Sequence, residues 1–270
     1  FGTKGIKRIS KNDFDNVVQY LKSRGFNQEQ EKTSLKIRSE FTDPKTGYSK
    51  ISNIRTEVNG KFSIREICKN KTNSPIYSDD KLLTGVEFIQ KSSYRNDDGT
   101  TLRPVDFDDF NFRATLQNEK KLSTSAGLVR QLLSDWDDKK KIFRLINRFS
   151  FIHPTVSGIR VDMSVVQHSK KNVKGNMVPT YNIRESEIFT SQKTYEIEVE
   201  VIQSNLYTKQ AVLSELRNTI KYVLCGLQQT NYPVSYTEMR ATATEYMRMI
   251  HGDDMPNKML SKHFIGPSSI

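Results

Sequence analysis

The segment TYEIEVEV, residues 194–201, sets Glu196, Glu198 and Glu200 at every second position, with Tyr195, Ile197, Val199 and Val201 between them. In a strand such alternate side chains share a face, about 7 Å apart. The segment therefore has one acidic and one apolar face, and its three carboxylates repel unless water, arginines or a metal compensates. Other segments supply arginines in the same alternation. IRVDMSV sets Arg160, Asp162 and Ser164 against Ile159, Val161, Met163 and Val165, and FRLINR places Arg144 and Arg148 on one face. FNFRATLQNE sets Arg113 with Thr115, Gln117 and Glu119, and NIRTEV sets Arg55 with Glu57. Glutamate oxygens without histidine or cysteine suit a hard cation, Mg2+ or Mn2+. Guanidinium forks suit phosphate oxygens. Together these residue types describe phosphoryl chemistry, with a metal as Lewis acid, an arginine clamp and a carboxylate that orients water. Taken alone, the glutamate strand reads equally as an ordinary half-buried strand with its carboxylates in water.

The elements that must carry these residues are mostly short strands. SLKIRSEF runs to the turn signal DPKTG (43–47), and ISNIRTEV, GKFSIREICK and TGVEFIQKSSY follow. DFNFRATLQNE (109–119), KKKIFRLINRFSFI (139–152) and GIRVDMSVVQ (158–167) are strands by their β-branched and aromatic content. Helices are expected at 13–24, capped by Ser10 or Asn12, in STSAGLVRQLLSDW, capped by Ser123 or Thr124, and over 208–227. SYTE (235–238) is a capping box that opens a last helix to about Ile250. Hairpin-length links without βαβ alternation predict an α+β fold, an antiparallel sheet or barrel with helices outside. An open sheet with its charged face in water is one solution. A closed barrel with that face lining the lumen is the other.

The chain of 270 residues carries a net charge of +11, which favours a polyanionic partner such as nucleic acid, nucleotide or polyphosphate. Cys68 and Cys225 sit among apolar neighbours, so they read as core thiols of a reducing compartment rather than a disulfide framework. Four scattered histidines exclude a zinc motif, and no apolar run reaches the ~18 residues of a membrane span. The sequence lacks an initiator methionine and is expected to be a piece of a longer polypeptide.

YEIEVEV, preceded by RFSF and IRVDMSVV, resembles the triphosphate tunnel metalloenzymes, in particular the RNA 5′-triphosphatase domains of mRNA-capping enzymes from large DNA viruses. The resemblance implies an eight-stranded closed antiparallel tunnel and a Mg2+- or Mn2+-dependent phosphohydrolase that removes the γ-phosphate of triphosphate-ended RNA. It implies that Glu196, Glu198 and Glu200 form the second acidic strand, some ligating the metal and another holding the attacking water. Arg144 and Arg148 match the ends of an Arg-x-Lys-x-Arg strand, in which Ile146 replaces the lysine. Arg160, Asp162 and Ser164 match an Arg-x-Asp-x-Thr/Ser strand whose aspartate orients an arginine. Arg113, Arg55 and Lys91 match further phosphate-binding positions, with Lys91 a substitute for the missing lysine.

The family's first Glu-x-Glu strand runs into Arg-Phe-Gly, and this chain opens FGTKGIKRI, so that strand is expected just upstream of Phe1. Without it the chain is expected to hold half a metal site and to lack full activity. Residues 1–252 are expected to form the tunnel domain. KHFIGPSSI, within 253–270, resembles the lead-in to a guanylyltransferase domain, whose Lys-x-Asp-Gly motif this chain lacks. The implied partners are 5′-triphosphate RNA, nucleoside triphosphates and the guanylyltransferase and methyltransferase domains of one parent polypeptide, in a host cytoplasm or virion and away from membranes. Two other readings stand beside this one: a non-catalytic tunnel that binds RNA or polyphosphate, and a related nucleotide or polyphosphate phosphohydrolase.

Overall fold

The computed structural model describes residues 1–2, 8–43, 45–69, 77–78, 81–82, 84–202 and 208–252, so the linker expected at 253–270 lies outside the described residues. Strands β1 (Lys32–Thr42), β2 (Ile54–Asn59), β3 (Val86–Ser93), β4 (Gln117–Leu122), β5 (Lys141–His153), β6 (Val156–His168) and β7 (Thr194–Val201) form one sheet. Their order is β4-β3-β2-β1-β5-β6-β7, antiparallel throughout. Two short strands extend it: Asn27–Gln28 beside β5 and Ser49–Ile51 beside β1.

Alternation gives the sheet two unlike faces. On the outer face Leu35, Ile37, Val58, Phe88 and Phe143 meet Ile64 and Ile67 of helix α2 (Lys61–Lys69) and Val129 of helix α3 (Gly127–Ser134). Farther along it, Phe151, Val161, Met163 and Ile197 meet Phe14, Val17 and Leu21 of helix α1 (Lys11–Ser23) and Val223 of helix α4 (Lys209–Gln228). Each such side chain contributes about 1.5–3 kcal/mol when fully buried, so the apolar half of the alternation fixes which face turns inward. The opposite face carries the charged residues.

The α+β class and the helices outside the sheet agree with expectation, but the closed barrel does not form. The sheet is a curled, open half-barrel. Among the described residues β4 and β7 do not pair with each other. The free edge of β7 instead meets the chain start, where the Phe1 amino group donates to Ile197 O at 2.9 Å and Gly2 N–H donates to Asn111 O at 2.9 Å. Two elements differ from the sequence reading. GKFSIREICK, read as a strand, is helix α2, because Ser63, Ile64 and Ile67 fall on one helical face and are buried. The strand read over 109–119 is broken. Asn111 adopts left-handed φ of 52°, Phe112–Ala114 pairs with Val105–Phe107 in a separate two-stranded sheet, and after residues 115–116, which lie outside any strand, Gln117 begins β4.

Two of the expected helix caps form, but helix α3 begins at Gly127 with Ala126 at its N-cap and no side-chain cap, so neither Ser123 nor Thr124 caps it. Ser10 and Asp13 make a capping box on α1, and Ser235 and Glu238 make one on helix α5 (Tyr236–His251). Helix α4 crosses α1 at Gly226, where an added Cβ would lie 2.9 Å from Val17 Cα. Helix propensity alone favours alanine there by about 1 kcal/mol. Forcing backbone apart in a packed core costs about 1–3 kcal/mol. Gly226→Ala is therefore expected to destabilise the protein, read as a lower urea midpoint with an unchanged slope.

Candidate functional site

The charged face is built by register. The pairing of β6 with β7 sets Ser164 opposite Glu196, Asp162 opposite Glu198 and Arg160 opposite Glu200. The pairing of β5 with β6 sets Arg148 opposite Ser164 and Ser150 opposite Asp162. Each glutamate then takes an arginine through its Oε2 atom. Arg144 pairs with Glu196, Arg148 Nη2 lies 2.9 Å from Glu198, and Arg160 Nη2 lies 2.8 Å from Glu200.

Asp162 sits beneath these pairs with its side chain 0% exposed. Its Oδ1 accepts from Ser150 Oγ at 2.6 Å, and its Oδ2 accepts from Arg148 Nη1 at 2.7 Å and from Arg160 Nη2 at 3.2 Å. Ser164 Oγ accepts from Arg148 Nε at 3.1 Å. Burial opposes the charge of Arg160, but Asp162 and Glu200 outweigh it and hold its guanidinium above the ordinary arginine pKa.

Across β1 and β2 the same face continues. Lys36 stands opposite both Arg144 and Glu57, with its amine 3.4 Å from Glu57. Arg55 pairs with Glu57 and lies 3.7 Å from Glu119, and Lys91 lies 2.5 Å from Glu119. Burial, then the nearby charges of Arg55, Arg148 and Arg144, lower the Lys36 pKa against the pull of Glu57. Lys36 therefore belongs to the cluster although the sequence reading passed over it. Its signal was the alternation in SLKIRSEF, where Lys36 and Arg38 oppose Leu35 and Ile37.

The structure brings Glu196, Glu198, Glu200, Asp162, Arg144, Arg148 and Arg160 together, with Arg55 and Lys91 farther along the same sheet face. Arg113 is not among them. It lies on the separate two-stranded sheet, where Asp106 accepts from its Nε at 2.5 Å and its Nη2 at 2.6 Å. The break at residues 115–116, between Phe112–Ala114 and β4, removes it from the alternation that suggested it. Ile146, at the position of the family lysine, is 1% exposed on the charged face.

Two features bear on what the face can hold. The Nε groups of Arg55 and Arg144 are buried without a hydrogen-bond partner among the described residues, whereas Arg160 Nε lies 2.9 Å from Asp162 Oδ1. Leftover guanidinium donors in a half-buried site fit an anion with several acceptor oxygens. The glutamates fit a hard cation by donor type, but each is held by an arginine. Among the described residues no three His, Cys, Asp or Glu side chains converge on one point. The described carboxylates thus supply donors from one wall and do not form a complete metal cage.

In fold, the chain matches the RNA triphosphatase domain of a trifunctional mimivirus mRNA capping enzyme with TM-score 0.50 and 16% identity, over 81% of this chain and 86% of that one. The chain resembles an RNA triphosphatase domain. A triclinic form of the mimivirus triphosphatase matches at TM-score 0.46 and 16% identity, over 81% of this chain and 86% of that one. The S. pombe Pct1 RNA triphosphatase, solved in complex with the Spt5 CTD, matches at TM-score 0.37 and 11% identity, over 82% of this chain and 68% of that one. No protein-family model and no curated protein matches the chain by sequence. No helix among the described residues is long and apolar enough to cross a membrane.

Asp162 and the glutamates differ in what their loss should do to the fold. Asp162→Ala strands two guanidiniums over a buried site and is expected to cost about 3–5 kcal/mol in urea unfolding. Glu198 is 46% exposed, so Glu198→Ala should cost no more than about 1 kcal/mol.

His168 closes one end of the face. Burial, then the charges of Arg144 and Lys171, lowers its pKa to about 4. The unfolded chain takes up that proton near 6.5 and the folded chain only near 4, so this group removes stability as pH falls through that window. His168→Gln is expected to lose less thermal stability than the unaltered chain between pH ~6.5 and ~4, measured as melting midpoints.

Proposed function

We propose that this chain is the catalytic core of an RNA 5′-triphosphatase that removes the γ-phosphate from triphosphate-ended RNA, the first step of mRNA capping. The observation that carries the proposal is the row of three arginine–glutamate pairs on the inner face of a curled sheet, two of them held from below by the buried Asp162. Arg144, Arg148 and Arg160 bind the phosphates, with Arg55, Lys36 and Lys91 extending the basic surface. When a triphosphate occupies the face, the guanidinium forks exchange carboxylate for phosphate oxygens, and the glutamates are freed. Asp162 has no exposed surface and serves as a positioning residue that aims Arg148 and Arg160.

Glu196, Glu198 and Glu200 supply carboxylates to a Mg2+ or Mn2+ ion together with acidic residues preceding Phe1. Such an ion, held by these carboxylates, would supply Lewis-acid chemistry at the γ-phosphate. One glutamate holds the attacking water and takes its proton. The water oxygen bonds to the γ-phosphorus as the bond to the β,γ-bridging oxygen breaks, and that oxygen leaves on the diphosphate. The products are inorganic phosphate and 5′-diphosphate RNA. In this reading residues 1–252 are the tunnel domain, and 253–270 lead to a guanylyltransferase domain of a viral capping polypeptide.

The test is phosphate release from 5′-triphosphate RNA, with Mg2+ or Mn2+, by the polypeptide that includes the residues before Phe1. Glu198→Ala is expected to lower turnover by about 100-fold or more without a large change in the unfolding midpoint. Normal turnover in that variant would overturn the proposal. A second reading, a tunnel that binds triphosphate RNA without cleaving it, is favoured by the buried Ile146 and by the unconverged carboxylates. Binding that weakens with salt but is indifferent to EDTA, with no phosphate released, would select it.

A further inference from the structure

At one end of the charged face the sheet ladder continues past its last regular pair. Glu40 N–H donates to Lys140 O at 2.8 Å, while Lys141 and Thr180 exchange backbone hydrogen bonds of 2.7 and 2.9 Å. This double pairing brings Tyr181 beside Lys140, whose ammonium lies 5.5 Å from the centre of the tyrosine ring. A cleft of about 190 Å³ opens there, lined by Glu40, Phe41, Asp138, Lys139, Lys140 and Tyr181 among others. Its two aromatic residues are uncovered, Tyr181 at 53% and Phe41 at 41% exposure. Lys140 precedes Arg144 by four residues. An even step keeps both on one side of an extended chain, about 13 Å apart.

We propose that this cleft binds the first nucleoside of a triphosphate-ended RNA. The inference rests on the reading of the charged face as a triphosphate site and names what distinguishes RNA from bare polyphosphate there. A ring that is half exposed beside a lysine is a stacking platform for any base, because every base has a π-face. The lysines suit the phosphodiester that follows the nucleoside. Glu40 and Asp138 would repel another phosphate, but they accept hydrogen bonds from base amino groups and ribose hydroxyls. The mixture of exposed rings, ammonium groups and carboxylates therefore fits a nucleoside better than a further phosphate. The distance along the strand places it beyond Arg144, on the order of a triphosphate plus ribose away.

The test is direct binding, which needs no turnover. At one salt concentration the 270-residue chain is titrated with a short 5′-triphosphate RNA and, separately, with inorganic tripolyphosphate. The RNA is expected to bind about tenfold more tightly, the weight of one stacked base. Tyr181→Ala should erase that advantage and leave tripolyphosphate binding unchanged, whereas Tyr181→Phe should retain it. Phe41→Ala provides a second removal of ring surface from the same cleft and should also reduce the advantage. An undiminished advantage in Tyr181→Ala, or an equal loss for both ligands, would overturn the inference. A selective loss together with an absence of phosphate release by the polypeptide that includes the residues before Phe1, supplied with Mg2+ or Mn2+, would instead support the nucleoside cleft and overturn the triphosphatase reading alone.

Discussion

The inner face depends on one buried carboxylate. Arg148 and Arg160 both reach toward the middle of β6, and two guanidiniums side by side repel. Asp162 lies between them with no exposed surface and accepts from both, and from Ser150. Burying a carboxylate costs several kcal/mol unless its oxygens are paired, and here each oxygen has a partner. The consequences run outward. Arg148, held by Asp162 on one side, meets Glu198 on the other, and Arg160 likewise meets Glu200. Two of the three arginine–glutamate pairs are thus oriented from below by the same carboxylate. Arg144–Glu196 stands apart, anchored at the end of the sheet near His168.

That network can form only if the strands hold one register, and the apolar face supplies the register. A slip of one residue would turn Ile197 and Met163 inward and the glutamates outward against helices α1 and α4. Ile197 and Met163 are fully buried beneath those helices, so the slip would expose a large part of the core. Packing on the outside and charge pairing on the inside therefore select the same alignment. The close crossing of α1 and α4 at Gly226 belongs to this arrangement, because it lets both helices cover the outer side of β6 and β7.

The parts of the molecule that were legible in the sequence are those in which a local pattern and the tertiary environment agree. In strands β6 and β7 apolar and polar residues alternate, and Ile159, Val161, Met163 and Ile197 of the apolar set are buried, whereas β5 departs at Ile146, which is buried on the charged face. The Ser10 cap and the Ser235 capping box are local chemistry and stood where expected, whereas the cap expected of Ser123 or Thr124 did not form because α3 starts later, at Gly127. Helix α2 was misread because Ile64, Ile67 and Phe62 suit a strand by propensity, while burial follows the helical face. Arg113 shared an alternating pattern with Glu119 that breaks at residues 115–116, where the chain leaves one strand and enters another in a different sheet. Lys36 was overlooked because its acidic partner Glu57 comes from the neighbouring strand. The Tyr181 cleft had no local signal, since it joins residues from three separated segments. Sheet closure is a matter of which edges meet, and alternation within a strand does not encode it.

The gradient of exposure across the face separates permanent pairs from exchangeable ones. The pairs to Asp162 are closed to solvent on the carboxylate side, and breaking one would leave a charge stranded in the interior. The glutamates, by contrast, reach solvent, and ion pairs of that kind contribute roughly 0–1 kcal/mol. In the proposed function, an arriving phosphate would need only to displace these weak outer contacts, while Asp162 keeps Arg148 and Arg160 in place. Little reorganisation is then required of the guanidiniums, and preorganised donors stabilise developing charge most effectively. The three neighbouring carboxylates that looked unfavourable in sequence are tolerable for the same reason: arginines neutralise them while the face is empty, and can be withdrawn to a ligand at small cost.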